Sequence, residues 1–218
     1  TTVRLDGMSG SAVELRTPQG PLSVRLPLPG LYNVYNALAA LTAVLRLGIP
    51  LDRAVAGLES VEAAFGRVET IAVGGVPVSI LLIKNPAGTN EVLRTLRLES
   101  AGNGSPAGLD LWVAHNDRIA DGRDVSWIWD ADFETLAPAV EHAVVTGIRS
   151  RDLANRLKYA GVARDRIEVV DAWGSAIDRA IGAAPQGGEV VVLATYTAML
   201  ALRNELARRG HVANFWED

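Results

Sequence analysis

The chain has 218 residues, of which 49% are hydrophobic and 21% charged, and its formal net charge is −4. At roughly 150 residues per domain this length predicts one to two domains, and the apolar content excludes disorder as the main state. The absence of cysteine excludes thiol nucleophiles, disulfides and cysteine-ligated zinc. The acidic balance argues against nucleic-acid binding, and no apolar run reaches the roughly 20 residues of a membrane-spanning helix. The N-terminus lacks the basic-then-apolar pattern of a signal peptide, and the absence of cysteine leads us to expect a cytoplasmic location.

The first 61 residues predict short strands followed by helices. Apolar side chains alternate over residues 22–26, after a turn at residues 18–20, which is typical of strands. An Ala/Leu-rich helix is predicted over residues 33–49 and a second helix over residues 51–61.

From about residue 66 onward, short apolar runs alternate with helical stretches. The predicted strands cover residues 68–73, 76–83, 109–116, 142–147, 166–171 and 189–196, and the predicted helices cover 89–99, 150–161, 173–184 and 197–210. This alternation is typical of βαβ units, and continuous apolar runs fit strands that are buried on both faces. We therefore predict an α/β fold with a mainly parallel sheet and flanking helices.

Residues 116–134 form an acidic segment, NDRIADGRDVSWIWDADFE, that begins where a predicted strand ends. Sites in open α/β sheets lie at the carboxyl ends of strands, so these carboxylates are candidates for chemistry. The alternative is a solvated loop in which each Asp forms a turn or caps a helix. The Asp spacing of a calcium loop is absent. Trp127 and Trp129 are predicted to alternate along a short extended piece, one in the core and one exposed.

Three further places carry candidate binding residues. Lys84 and Asn85 follow a buried strand and precede a helix, whose N-terminus offers N–H groups to an anion; the alternative is an ordinary turn. Arg67, in FGRVET, has the chemistry to stack on a base or pair with phosphate. Asn36, three residues after Asn33, either faces a ligand or belongs to a helix start.

Other motifs of catalysis are missing. The three histidines have no metal-ligand spacing, so no metal site is predicted. The chain contains no G-x-S-x-G, Walker A or G-x-G-x-x-G motif. The residues alone therefore give little support to a self-contained hydrolase, kinase or dehydrogenase.

Several motifs together are similar to one family. The stretch PGLYNVYNALAALTAVLRLGI, followed by FGRVE, resembles the end of the central domain of the Mur ligases, and the chain from about residue 68 resembles their C-terminal Rossmann-like domain. IKNPAGTNE, the acidic segment and TYTAMLALRNEL resemble in particular the MurT family, the ligase-like subunits of lipid II isoglutaminyl synthase. The resemblance implies the tail of a Mur central domain over residues 1–66 and a C-terminal domain that docks a partner over residues 67–218.

The resemblance also implies an activity shared between two subunits. The expected partner is the glutaminase subunit GatD, which carries a catalytic cysteine and histidine and releases ammonia from glutamine. The ligase-like subunit is expected to use ATP and Mg²⁺ to activate the α-carboxylate of D-glutamate in lipid II, at the inner membrane face. Ammonia then converts this residue to D-isoglutamine.

The same resemblance assigns roles to five residues. Asp124, in GRDVSW, matches the aspartate that completes the partner's triad by accepting a hydrogen bond from its histidine. Asn36, Arg67 and Lys84 match residues that approach the nucleotide, and Asn85 assists them.

The chain also departs from the family pattern. It lacks the G-T-N-G-K-T-T phosphate loop and the cysteine-rich zinc ribbon, which would both lie upstream of residue 1. We therefore expect this stretch alone to hold no cofactor and to be inactive. Two alternatives stay open: a non-catalytic scaffold for a glutaminase-like partner, and the C-terminal domain of another Mur-type ligase. The acidic segment argues against the second.

Overall fold

The computed structural model describes residues 2–18, 20–61, 69–102 and 108–212, with the side chains of 98–102 excepted. The chain forms two compact units. The first consists of Thr1–Ala63 with Glu91–Pro106, and the second of Ala64–Asn90 with Ala107–Asp218. The predicted boundary between residues 66 and 67 falls outside the described residues, and it stays a prediction.

The first unit contains a small antiparallel sheet covered by helices. Its strands are β1 (Thr2–Leu5), β2 (Ser11–Thr17) and β3 (Gly20–Leu26), and its first two helices are α1 (Leu31–Arg46) and α2 (Leu51–Glu59). Alternate strand residues such as Val13 and Val24 pack against Val34 and Leu41 of α1. The period-two pattern of the sequence therefore buries one face of each strand.

The second unit contains a sheet of six strands. They are β4 (Glu69–Val73), β5 (Val76–Leu82), β6 (Leu109–Ala114), β7 (Val140–Thr146), β8 (Ile167–Val169) and β9 (Val190–Ala194), in the order β4-β5-β9-β6-β7-β8. Only the pairing of β4 with β5 is antiparallel among these described strands. The predicted α/β class with a mainly parallel sheet is confirmed.

Helices follow four of these strands. They are α3 (Pro86–Gly102), α4 (Ser150–Ala160), α5 (Trp173–Ala183) and α6 (Tyr196–Arg208). On one face of the sheet, Trp112 and Val192 pack with residues of α5 and α6 such as Ile177 and Leu202. The neighbouring strand residues, of which Val113 is one, are equally buried. Burial on both faces explains why these strands read as continuous apolar runs.

The strand order creates a topological switch point. From β6 the chain proceeds to β7 and β8 on one side, and it returns to the other side of β6 to form β9. Beyond the carboxyl ends of β6 and β9, the connecting segments diverge and leave a crevice, which is where ligands bind in open α/β sheets. The acidic segment begins at this point.

Candidate functional site

The crevice lies at the carboxyl edge of the parallel sheet in the second unit, and its volume is about 510 Å³. Its walls come from the segments that follow β6, β7, β8 and β9, and the lining residues are Asn116, Arg118, Gly147, Ile148, Asp171, Trp173, Thr197, Leu200, Ala201 and Asn204. The segments after four strands therefore contribute to one crevice with a mixed polar and apolar lining.

Asn116 ties three of these segments together. Its backbone N–H donates to Thr195 Oγ1, its Nδ2 donates to Thr197 Oγ1, and its Oδ1 accepts from the backbone N–H of Ile148, each at 3.0 Å. Gly147 makes the close approach feasible: its φ is +104°, and a Cβ there would lie 2.5 Å from the carbonyl oxygen of His115. Only glycine meets both conditions without strain.

Asp121 anchors the acidic segment to the beginning of α6. Its carboxylate accepts the backbone N–H of Thr197 at 2.7 Å and the Thr197 hydroxyl, and it also accepts the backbone N–H of Arg118 at 3.1 Å. A carboxylate at a helix N-terminus is favoured by the free N–H groups and the helix dipole. For Asp121, the capping interpretation of the sequence is therefore confirmed.

Asp124 has the opposite environment. Its side chain is exposed, and Oδ1 accepts the backbone N–H of Ser126 at 2.8 Å. Hydrogen bonds from the Ser126 side chain and backbone hold the pKa of Asp124 below its ordinary value. The carboxylate is consequently ionised at neutral pH and open to an approaching hydrogen-bond donor.

Trp127 and Trp129 lie on a 3-10 helix, Ser126–Asp130, so the predicted extended piece is wrong. A 3-10 turn of i to i+3 bonds needs no strand partner, and the local alternation carried no signal for it. The predicted exposure of one indole is confirmed, but neither indole enters the core, where Ile128 between them is buried instead. Trp127 is half-buried against the ring of His115, 5.5 Å between ring centres, whereas Trp129 is 50% exposed.

His115 directly follows the last residue of β6, and it is 1% exposed. Its Nδ1 has no hydrogen-bond partner among the described residues. Burial is the main reason that its pKa falls to about 4; Asp121 opposes this shift, and Arg149 adds to it. The ring is therefore neutral at physiological pH and acts as an aromatic support for Trp127.

This burial predicts a pH-dependent stability. The folded protein keeps His115 neutral down to a pKa of about 4, whereas the unfolded chain binds a proton below pH 6.5. The free energy of unfolding should therefore decrease by up to roughly 3 kcal/mol as the pH falls between these values. His115→Phe, which retains a ring against Trp127, should flatten this dependence in urea unfolding. The exposed His211→Phe should not, and equal slopes in all three proteins would contradict the assignment.

Arg156 of α4 stabilises the 3-10 helix by donating hydrogen bonds to backbone carbonyl oxygens. Its guanidinium, 3% exposed, donates to the carbonyl oxygens of Ile128 (2.9 Å) and Ala131 (2.7 Å), and it pairs with Glu134 at 2.7 Å. A planar guanidinium is suited to several simultaneous bonds of this kind. The acidic segment is thus held at both ends, by Asp121 and by Arg156, with Asp124 between them.

The predicted nucleotide residues are placed as follows. Lys84 is exposed just after β5, and Asn85 Oδ1 accepts the N–H of Gly88 at 2.8 Å at the start of α3. The turn interpretation therefore holds for Asn85. Asn36 is exposed on α1 in the first unit, while Arg67 lies outside the described residues.

Asn33 is buried, and its Nδ2 donates to the carbonyl oxygen of Pro29 at 2.8 Å. This bond ties α1 to the residues that precede it. Within the described ranges, no group of three or more His, Asp or Glu side chains is arranged to hold a metal ion. No helix among those residues has the length and apolar character needed to cross a bilayer.

The sequence interpretation missed several residues that shape the site. Thr195, Thr197 and Gly147 follow the carboxyl ends of buried strands, which was a usable signal. Arg156 offered none, because one arginine on a helix resembles any other.

Comparison with protein families shows which one the chain represents. Residues 82–199 match the model described as MurT ligase C-terminal. The chain belongs to this family. The matched range contains the whole acidic segment, seven of the ten residues that line the crevice and most of the parallel sheet, so the predicted resemblance is confirmed.

Comparison with individual proteins gives the same family. The chain is 34% identical over 187 residues to the MurT subunit of lipid II isoglutaminyl synthase (glutamine-hydrolyzing) from Streptococcus pneumoniae, covering 84% of this chain and 40% of the relative. It is 38% identical over 138 residues to the subunit of the same name from Staphylococcus aureus, covering 63% and 30%. The chain thus spans well under half the length of these relatives.

Solved structures share the fold. MurF from Acinetobacter baumannii superposes with a TM-score of 0.69 at 23% identity, covering 95% of this chain and 44% of that one. Folylpolyglutamate synthase from Mycobacterium tuberculosis gives a TM-score of 0.63 at 21% identity, covering 98% and 48%. At these identities the comparison supports the Mur-ligase fold and says nothing about substrates.

Proposed function

We propose that the chain is part of the ligase subunit of a two-subunit, glutamine- and ATP-dependent amidotransferase. Its reaction converts the D-glutamate of the lipid II stem peptide to D-isoglutamine. In this proposal the second unit binds a glutaminase subunit, GatD, in the cytoplasm, and residues 1–66 are the end of a Mur central domain. The observation that carries the proposal is the exposed, ionised carboxylate of Asp124 on a segment anchored at both ends.

The chemistry expected of Asp124 follows from its environment. A glutaminase that uses a cysteine and a histidine needs an acceptor for the second N–H of that imidazole. Asp124 would accept this bond, fix the tautomer, and stabilise the imidazolium that forms when the histidine removes the thiol proton. The Ser126 hydrogen bonds keep the carboxylate ionised and oriented for this role.

The ligase half of the reaction requires ATP as a co-substrate. Lys84 fits a phosphate, because it is an exposed cation at the carboxyl end of β5. Asn85 fits less directly, since its side-chain oxygen is occupied by Gly88 N–H. Asn36 and Arg67 complete the proposed nucleotide contacts. ATP would supply the phosphoryl group that activates the D-glutamate α-carboxylate for attack by ammonia, with Mg²⁺ as its counter-ion.

The proposal is tested with the complete protein and the glutaminase subunit purified together. We expect glutamine hydrolysis by the pair, and conversion of lipid II to its D-isoglutamine form only when both ATP and glutamine are present. The glutaminase subunit alone should hydrolyse glutamine at least about 10³-fold more slowly, since its triad is incomplete. Binding of the two proteins without any stimulation of hydrolysis would favour the scaffold alternative instead.

A further inference from the structure

Two aromatic side chains lie together on the surface of the second unit. Trp129, on the 3-10 helix, is 50% exposed and Tyr159, on α4, is 66% exposed. Their ring centres are 5.8 Å apart in an edge-on arrangement. Contiguous exposed apolar groups on a monomer often mark interaction sites, and Trp and Tyr are enriched among the residues that dominate the binding energy of interfaces.

The pair is held rigidly before any partner arrives. The buried guanidinium of Arg156 lies 5.5 Å from the Trp129 ring centre. The same guanidinium donates to the carbonyl oxygens of Ile128 and Ala131, which precede and follow Trp129 in the chain. The ammonium of Lys158 lies 5.5 Å from the Tyr159 ring centre. A preorganised surface loses little conformational entropy on binding, so more of the contact energy becomes affinity.

Charged residues flank the aromatic pair in the sequence: Lys158 precedes Tyr159, and Asp130 and Asp132 follow Trp129. Asp130 and Asp132 are exposed, and neither forms an ion pair within the part of the chain that the structure describes. An apolar aromatic centre with a charged rim is the usual anatomy of a protein interface. The rim carboxylates favour a partner with basic side chains at its edge.

The distance between Asp124 and Trp129 indicates which partner protein binds at the aromatic pair. Four residues separate Asp124 from Trp129, and most of that stretch is the 3-10 helix, so their Cα atoms are at most about 13 Å apart. A stable interface covers about 800 Å² on each partner, equivalent to a disc of roughly 16 Å radius. A subunit whose interface is centred on Asp124 would therefore also cover Trp129.

We infer that Trp129 and Tyr159 form the anchor by which this chain binds its glutaminase subunit. The inference rests on the proposed function, because the occupant is defined by the need to reach Asp124. Trp129 enters an apolar pocket of the partner, and Asp130 and Asp132 face basic residues around it. Trp129 supplies affinity, whereas Asp124 supplies chemistry.

The test measures the affinity of the complete protein for the glutaminase subunit by calorimetry. Trp129→Ala is expected to weaken the Kd about 30-fold or more, as for a buried tryptophan anchor. Tyr159→Ala, on a helix that tolerates alanine, is expected to weaken it about fivefold. The loss of glutamine hydrolysis in Trp129→Ala should be reversed by excess partner, because it arises from incomplete binding.

Leu47→Ala provides the matched control, since Leu47 is an 80% exposed apolar residue of the first unit. Its Kd should equal that of the original protein. An unchanged Kd in both Trp129→Ala and Tyr159→Ala would overturn the inference. The proposed function fails in a different way: hydrolysis would then persist in Asp124→Asn, whatever the affinity of the Trp129 variant.

Discussion

Replacing Asp124 by asparagine in the complete protein is expected to slow glutamine hydrolysis by the assembled pair about 10³- to 10⁴-fold. The carboxylate is exposed and contacts Ser126, so the substitution removes charge without disturbing the core. Asparagine keeps an acceptor oxygen but cannot stabilise the imidazolium, and its amide allows the wrong tautomer of the histidine. The Kd between the subunits should stay within about threefold.

Steady-state hydrolysis at saturating partner, with the Kd measured separately, distinguishes these two effects. Asp165→Asn is the matched control, because Asp165 is also an exposed carboxylate of the second unit. It should hydrolyse glutamine at the original rate. A similar rate in Asp124→Asn would exclude Asp124 from the triad and leave the scaffold alternative as the better account.

Replacing Arg156 by methionine is expected to lower the free energy of unfolding by about 2 kcal/mol. The loss arises because the buried carbonyl oxygen of Ile128 would lose its guanidinium donor, while that of Ala131 would keep only the N–H of Phe133. The Glu134 pair contributes little to this figure, since that carboxylate is more than half exposed. Methionine fills a similar volume, so the effect reports on hydrogen bonds rather than on a cavity.

Urea unfolding of the purified chain measures this change. Arg156→Lys should lose less, because one ammonium retains part of the bonding. Arg151→Met is the control: its partner Asp171 is 3.5 Å away and both side chains are well exposed, so a change of at most about 0.5 kcal/mol is expected. A similar small loss in Arg156→Met would show that the 3-10 helix is held by other contacts.

The two arginines illustrate what local sequence does not encode. Both lie on α4, five residues apart, yet one is buried beneath Trp129 and the other is exposed to solvent. Their difference depends on the acidic segment, which packs against only one of them. The prediction for Trp127 and Trp129 failed in the same way. Their alternation suggested an extended chain, whereas the bonds from Arg156 stabilise a 3-10 turn.

Polar contacts between residues far apart in the sequence were also not predictable from local patterns. Asp121 and Thr197 are 76 residues apart and meet only because β6 and β9 are neighbours in the sheet. An Asp within a loop and a Thr at a helix start each have ordinary local roles, so neither residue indicated the other. His115 likewise has no sequence signal for its burial, which depends on the fold and includes contact with the Trp127 ring.

The α/β class, the strand and helix positions in the second unit, and the family could be predicted from the sequence. Buried parallel strands and a long acidic motif appear in it as continuous stretches of residues, which makes them recognisable. The sequence also directed attention to the carboxyl end of β6. Which carboxylate is buried and which is exposed depends on the tertiary structure. Asp121 accepts a backbone N–H at the start of α6, whereas Asp124 stays exposed and accepts hydrogen bonds only from Ser126 among the described residues. The physical reason is that strand order brings donors to one aspartate and not to the other, and strand order is a property of the whole sheet.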